Sequence, residues 1–294
     1  MRRRGFVAVA VFAITPYLTP ATRVQDRAAL PVLVEIDSDG SAMKGRVFSS
    51  GRQAPGATVL LLHGWPGSSD DVLGLGALLS REGLNAVMFN PRGMHGSEGT
   101  ASFAHAVADI GAAFAWLRQP AIARKFGIDT SRIVLAGHSW GGGLSLAYAA
   151  RDPAVHRIIS IAGNDYGEFI REYKRNAAFA AAIDTMLRPT MAPGGPVRYD
   201  PQADGMVELS EHIDVYGLRE NAARLADRDI LLIGGWEDRQ VTVEQYLLPF
   251  YRALTREGAA NVTFLVYHDD HRFGRVRQRL AWDIRDWVLN RTSR

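Results

Sequence analysis

Residues 133–142 read Ile-Val-Leu-Ala-Gly-His-Ser-Trp-Gly-Gly, an apolar run that breaks into a serine framed by glycines, and this passage decides the fold. The apolar run suits a strand buried on both faces, and the stretch after Gly141 suits a helix. Gly137 and Gly141 remove side chains that would clash in so sharp a turn, which leaves Ser139 at the mouth of a sheet. Gly142 and Gly143 let the helix pack closely. The competing reading is an ordinary glycine-rich turn, but the strand before and the helix after favour Ser139 as a nucleophile.

Strands and helices alternate outward from this point. Short strands at 32–36 and 45–48 look like an antiparallel lead-in, and the continuous apolar run 57–62 is the first strong parallel strand. A helix at 71–82, a strand at 85–89 and a helix at 103–117 follow. Then come the strand at 132–136, its helix at 141–150 and a strand at 158–162. The alternation predicts an α/β fold with a doubly wound, mostly parallel sheet. It breaks at about 164–229, where helical stretches at 168–187 and 218–226 flank the turn-rich segment 188–201, as expected of a helical cap inserted over the carboxyl edge of the sheet. Strand 230–233, helix 243–257, strand 262–267 and a last helix over about 276–289 complete one domain spanning 26–294.

If Ser139 is a nucleophile, three further functions must be supplied. Backbone donors have to face the oxygen that gains negative charge. Trp140 N–H is one candidate, and Trp65 N–H in His63-Gly-Trp-Pro-Gly67, just after strand 57–62, is the other; an ordinary tight turn is the alternative for this segment. His63 itself reads as orienting that loop. An acid and a base must follow in that order. The loop after strand 230–233 carries Glu237-Asp238, and the loop after strand 262–267 carries His268-Asp-Asp-His271. Asp238 is preferred because it is shorter and lies deeper in its loop. His271 is preferred because His268 merely continues its strand. The two histidines with two aspartates also have the look of a metal site, but that spacing needs a helix or more ligands, so no metal is expected.

His63-Gly-Trp-Pro-Gly67, Arg92-Gly-Met-His-Gly-Ser-Glu-Gly99, Gly137-His-Ser-Trp-Gly-Gly142, Gly235-Trp-Glu-Asp238 and Asp270-His-Arg-Phe273 together resemble the α/β-hydrolase superfamily over roughly residues 44–290. Ser-Trp-Gly-Gly and the His-x-Phe ending are most similar to the prolyl-oligopeptidase and acylaminoacyl-peptidase-like branch and its small esterase relatives. The resemblance implies a Ser139, Asp238, His271 triad, the same residues reached from position. The chain departs from the pattern at Arg92-Gly-Met-His-Gly-Ser, where Arg-Gly-x-Gly-x-Ser is commoner, and it lacks the propeller of the large oligopeptidases. The expected activity is cleavage of a carboxylic ester through an acyl-enzyme, with 187–199, Tyr166, Phe169 and Tyr173 as candidate pocket residues. An amidase or aminopeptidase-like activity on a short peptide is the nearer alternative, and a non-catalytic binding protein on the same fold is the remoter one.

Composition narrows the field. No cysteine is present, which removes disulfides, thiolate metal sites and cysteine nucleophiles. The net charge of +3 comes from 34 basic residues, all arginine except Lys44, Lys125 and Lys174, interleaved with 31 acidic ones, so no nucleic-acid footprint is expected. No nucleotide fingerprint appears and no cofactor is expected. Arg2-Arg-Arg4, a short apolar run and Thr19-Pro-Ala21 read as a signal peptide over 1–25 for export, periplasmic or secreted, with no stable membrane span after processing. An uncleaved anchor or a mis-called start is the alternative.

Overall fold

The computed structural model describes residues 30–70, 72–199 and 204–290; the expected signal peptide lies outside them. The described residues build an eight-stranded sheet in the order β1-β2-β4-β3-β5-β6-β7-β8. β1 (Val32–Ser38) and β2 (Ser41–Phe48) pair antiparallel through Asp39-Gly40, both at positive φ as a two-residue hairpin turn of matching twist requires. β2 is also antiparallel to β4 (Asn85–Phe89). The remaining neighbours, β3 (Gly56–Leu62), β4, β5 (Ile128–His138), β6 (Arg157–Ile161), β7 (Asp229–Gly235) and β8 (Val262–Tyr267), pair parallel.

Parallel strands need crossover connections, and helices supply them. After β3 comes α1 (Leu75–Arg81), and after β4 come α2 (Phe103–Arg118) and α3 (Pro120–Phe126). α4 (Trp140–Ala149) follows β5. Between β6 and β7 lie α5 (Tyr166–Arg175), α6 (Ala177–Met191), α7 (Gly205–Glu211), α8 (Ile213–Tyr216) and α9 (Ala222–Leu225). α10 (Leu248–Arg256) follows β7, and α11 (Arg277–Asn290) follows β8.

The central strands read as unbroken apolar runs because both faces are covered. Leu60, Leu62, Leu135, Ile158 and Leu232 pack on one side with Ile110 and Phe114 of α2, Leu144 of α4 and Phe250 of α10. Their neighbours Val59, Leu61, Val134, Ile159 and Leu231 pack on the other with Leu75 and Leu79 of α1 and Ile284 and Val288 of α11. The period of two thus assigns successive residues to two cores.

Between β6 and β7 the structure differs from the sequence expectation. The helix expected over 168–187 is two helices, because the side chain of Asn176, with φ −125°, accepts the Phe179 N–H and caps a new helix. α6 then runs through Pro189 to Met191, four residues into the segment expected to be turns. Val197 N–H closes that end on the Thr190 carbonyl. Asp204 caps the unexpected α7 by accepting the Met206 and Val207 N–H groups. The helix expected over 218–226 shrinks to α9. The Asn221 amide is bonded instead to the carbonyls of Asp214, Val215 and Gly217, which holds 218–221 as a turn.

Candidate active site

β5, at the centre of the sheet, ends in a backbone conformation that only a constrained turn maintains: Ser139 has φ 54° and ψ −116°. Tertiary contacts enforce it. A Cβ on Gly137 would lie 2.2 Å from the Gly141 carbonyl oxygen, and one on Gly141 would lie 2.5 Å from the His63 carbonyl oxygen. α4 therefore starts directly against the end of β3. Ser139 N–H donates to the Ile161 carbonyl on β6 at 2.8 Å, fixing the turn from the other side.

Three side chains from three strand ends meet here. His271 Nε2 lies 2.9 Å from Ser139 Oγ, and His271 Nδ1 lies 2.6 Å from Asp238 Oδ2. The Asp238 side chain has no exposed surface, and its Oδ1 accepts the Gln240 and Val241 N–H groups at 2.8 and 3.0 Å. With both oxygens accepting, Asp238 holds the Nδ1–H tautomer of His271 and leaves the Nε2 lone pair toward Ser139. The loops carrying Asp238 and His271 cross closely: a Cβ on Gly235 would be 2.6 Å from the Asp269 carbonyl oxygen. Of the candidates weighed against these two, Glu237 is exposed and ion-paired to Arg275, and His268 is exposed.

His63-Gly64 also reaches the elbow, since a Cβ on Gly64 would lie 3.0 Å from Ser139 Cβ. The Trp65 and Trp140 rings meet edge-on with centroids 5.9 Å apart. Trp140 N–H sits in the first turn of α4, where no intrahelical acceptor exists, and Trp65 N–H has no acceptor among the described residues. The expected pocket residues are partly committed elsewhere. Tyr166 is buried and donates to the Trp140 carbonyl at 2.5 Å, Phe169 packs on Phe179, and Tyr173 donates to Asp184. An open groove of about 650 Å³ includes Asp238 and His271 in its wall along with Trp236, Arg239 and Arg272, whereas Ser139, Trp65 and Trp140 do not line it.

Two histidines support the site, the half-buried His138, which the sequence reading did not single out, and the buried His63, which it took only as a loop support. His138 Nε2–H donates to the His271 carbonyl at 2.9 Å, its ring 4.8 Å from that of His271, so it holds the backbone at His271. Its only sequence signal is its place beside Ser139, on a strand end bounded by two other loops. His63 bonds its own Gly64 carbonyl through Nδ1 and stacks on Trp140. Burial, then the neighbouring His271, pushes the His138 imidazole down to about 3, and burial pushes His63 down to about 4, from an ordinary 6.5. Both are therefore neutral in the folded protein at pH 5, whereas the unfolded chain would protonate them. Stability is expected to be full above pH 6.5 and to fall as pH drops toward 4 and on toward 3. Urea unfolding across pH 7 to 4 measures this. His138→Gln should flatten the slope by about one proton, roughly 1.4 kcal/mol per pH unit, and an unchanged slope would show that His138 is not the titrating group.

A family model described as the alpha/beta hydrolase fold matches residues 57–187, which span β3 to α6 and include His63-Gly64, Ser139 and Trp140. Est1E from Butyrivibrio proteoclasticus superposes with a TM-score of 0.60 at 15% identity, covering 88% of this chain and 98% of that one. An esterase of Pyrococcus furiosus gives 0.63 at 17% identity over 98% and 99%. The acylaminoacyl peptidase of Pyrococcus horikoshii gives 0.62 at 17% identity over 88% of this chain but 41% of that one. No curated protein sequence matches significantly. At such identities the common property is the fold.

Proposed function

From the premise that this chain is an α/β-hydrolase by fold, we propose that it is a serine hydrolase that cleaves a carboxylic ester through an acyl-enzyme. The observation that carries the reading is the hydrogen-bonded row from Ser139 Oγ through His271 to the buried Asp238. Ser139 Oγ attacks the ester carbonyl while His271 Nε2 takes its proton. Asp238 keeps the imidazole in the accepting tautomer and stabilises its charged form. The Trp65 and Trp140 N–H groups hold the oxyanion of the tetrahedral intermediate. Its collapse breaks the C–O bond, and the alcohol leaves with the proton carried by His271. Water, deprotonated by the same imidazole, then attacks the acyl-serine and releases the carboxylic acid.

An amidase or peptidase activity would use the same groups, and the similarity to part of an acylaminoacyl peptidase keeps it in view. Short-chain nitrophenyl esters assayed beside aminoacyl anilides separate the two. Ester turnover is expected to exceed anilide turnover, and exclusive anilide cleavage would replace the esterase reading with a peptidase one. Failure of Ser139 to label with a fluorophosphonate would favour a silent binding protein on this fold.

A further inference from the structure

The loop 92–99 departs from Arg-Gly-x-Gly-x-Ser by placing His95 where glycine is commoner, and His95 accordingly sits in the left-handed region with φ 44°. Its Nε2–H donates to the Pro66 carbonyl at 2.8 Å. Pro66 adjoins Trp65 in the turn Gly64–Gly67, which closes on itself through Gly67 N–H to the Gly64 carbonyl at 2.7 Å. Among the described residues, the His95 bond is the one hydrogen bond that reaches residues 64–67 from outside their own loop. The ring of His95 also meets His63 edge-on, with centroids 6.0 Å apart.

His95 stands on a rigid base. Arg92 is buried, and both its backbone N–H and its Nε donate to the buried Asp109, at 2.8 and 2.6 Å. On the far side, the segment that follows α6 is laced to the same loop. His95 N–H donates to the Pro196 carbonyl, Arg198 N–H to Gly93 and Ala101 N–H to the Arg198 carbonyl, at 2.8, 2.7 and 2.8 Å. The Arg198 guanidinium adds bonds to the Ser97 and Gly99 carbonyls.

We propose that His95 is a positioning residue for the oxyanion loop: by holding the Pro66 carbonyl it fixes the direction of Trp65 N–H and couples that loop to the segment after α6. The inference rests on the serine-hydrolase reading. A donor stabilises the transition state only if it is aimed in advance at the oxygen that acquires charge, and a loop free to rotate loses that benefit while still admitting substrate. The histidine contributes through its reach from a left-handed backbone position, which a glycine there could not provide.

Two variants separate the hydrogen bond from the backbone role. Asparagine tolerates the left-handed region but is too short to reach Pro66, whereas glutamine retains a terminal N–H at comparable reach. In the full chain, His95→Asn is expected to keep its melting temperature and its KM for a nitrophenyl ester. Its kcat should fall by roughly 10- to 100-fold, less than the loss of a whole oxyanion donor. Binding of a trifluoromethyl ketone, which mimics the tetrahedral state, should weaken in parallel, and His95→Gln should recover most of both losses. Unchanged kcat in His95→Asn, or a loss matched by an equal loss of folded protein, would overturn the proposal while leaving the hydrolase reading intact. A parent protein that neither turns over ester nor labels with a fluorophosphonate would overturn both.

Discussion

Ser139→Ala is expected to lower kcat on an ester by about 10⁶-fold, with the remaining turnover coming from substrate binding and the oxyanion donors alone. Removing Oγ takes away the proposed nucleophile of the acyl-enzyme mechanism and leaves His271 Nε2 without its partner at 2.9 Å. The backbone stays as it was, since the sharp turn is held by Gly137, Gly141 and the bond from Ser139 N–H to Ile161. The melting temperature should therefore change little. Ser139→Gly is more informative about the fold: φ 54° with ψ −116° strains any L-residue, and glycine should relieve about 1 kcal/mol or more while equally abolishing activity. Steady-state kinetics and fluorophosphonate labelling test the first expectation, and calorimetry tests the second. Turnover of Ser139→Ala within tenfold of the parent would remove the acyl-enzyme mechanism.

Asp238→Asn is expected to cost about 10⁴-fold in kcat through the wrong tautomer of His271. Oδ1 of Asp238 accepts two backbone N–H groups and Oδ2 accepts His271 Nδ1–H, so every polar atom around this carboxylate is a donor. A carboxamide can satisfy the Gln240 and Val241 N–H groups only by turning its oxygen to them. Its NH₂ then faces Nδ1, which must become an acceptor, and the proton moves to Nε2. Nε2–H donates to Ser139 Oγ instead of taking its proton, and general-base catalysis stops. The variant should fold, and its affinity for substrate should be close to that of the parent. If kcat/KM falls by less than about tenfold, Asp238 is not setting the tautomer.

What could be read before folding followed the chain locally. The strand at 85–89 coincides with β4, where a fully buried apolar run leaves a parallel strand as the economical reading. The strand at 262–267 coincides with β8, a partly exposed edge strand marked by its β-branched and aromatic residues. Ser139, Asp238 and His271 were legible as types at strand ends, and the structure brings the three side chains into one hydrogen-bonded row. The break at Asn176 was less visible, since capping competes with helical propensity through a side-chain bond that the apolar period does not register.

The sequence by itself determined the alternation of strands and helices, the glycines that permit the turn at Ser139, and the positions from which an acid and a base could come. Those are properties of consecutive residues, set by backbone sterics and by a period of two against one of 3.6. Only the tertiary structure decided which of neighbouring groups enters the site: Asp238 turns inward while Glu237 pairs with Arg275, and His271 meets Ser139 while His268 stays at the surface. It also decided that His138 supports the loop of His271 and that His95 reaches Pro66. The physical reason is separation along the chain. His138 and His271 are 133 residues apart and His95 and Pro66 are 29 apart, so their bonds exist only once the packed sheet and its loops have brought them together.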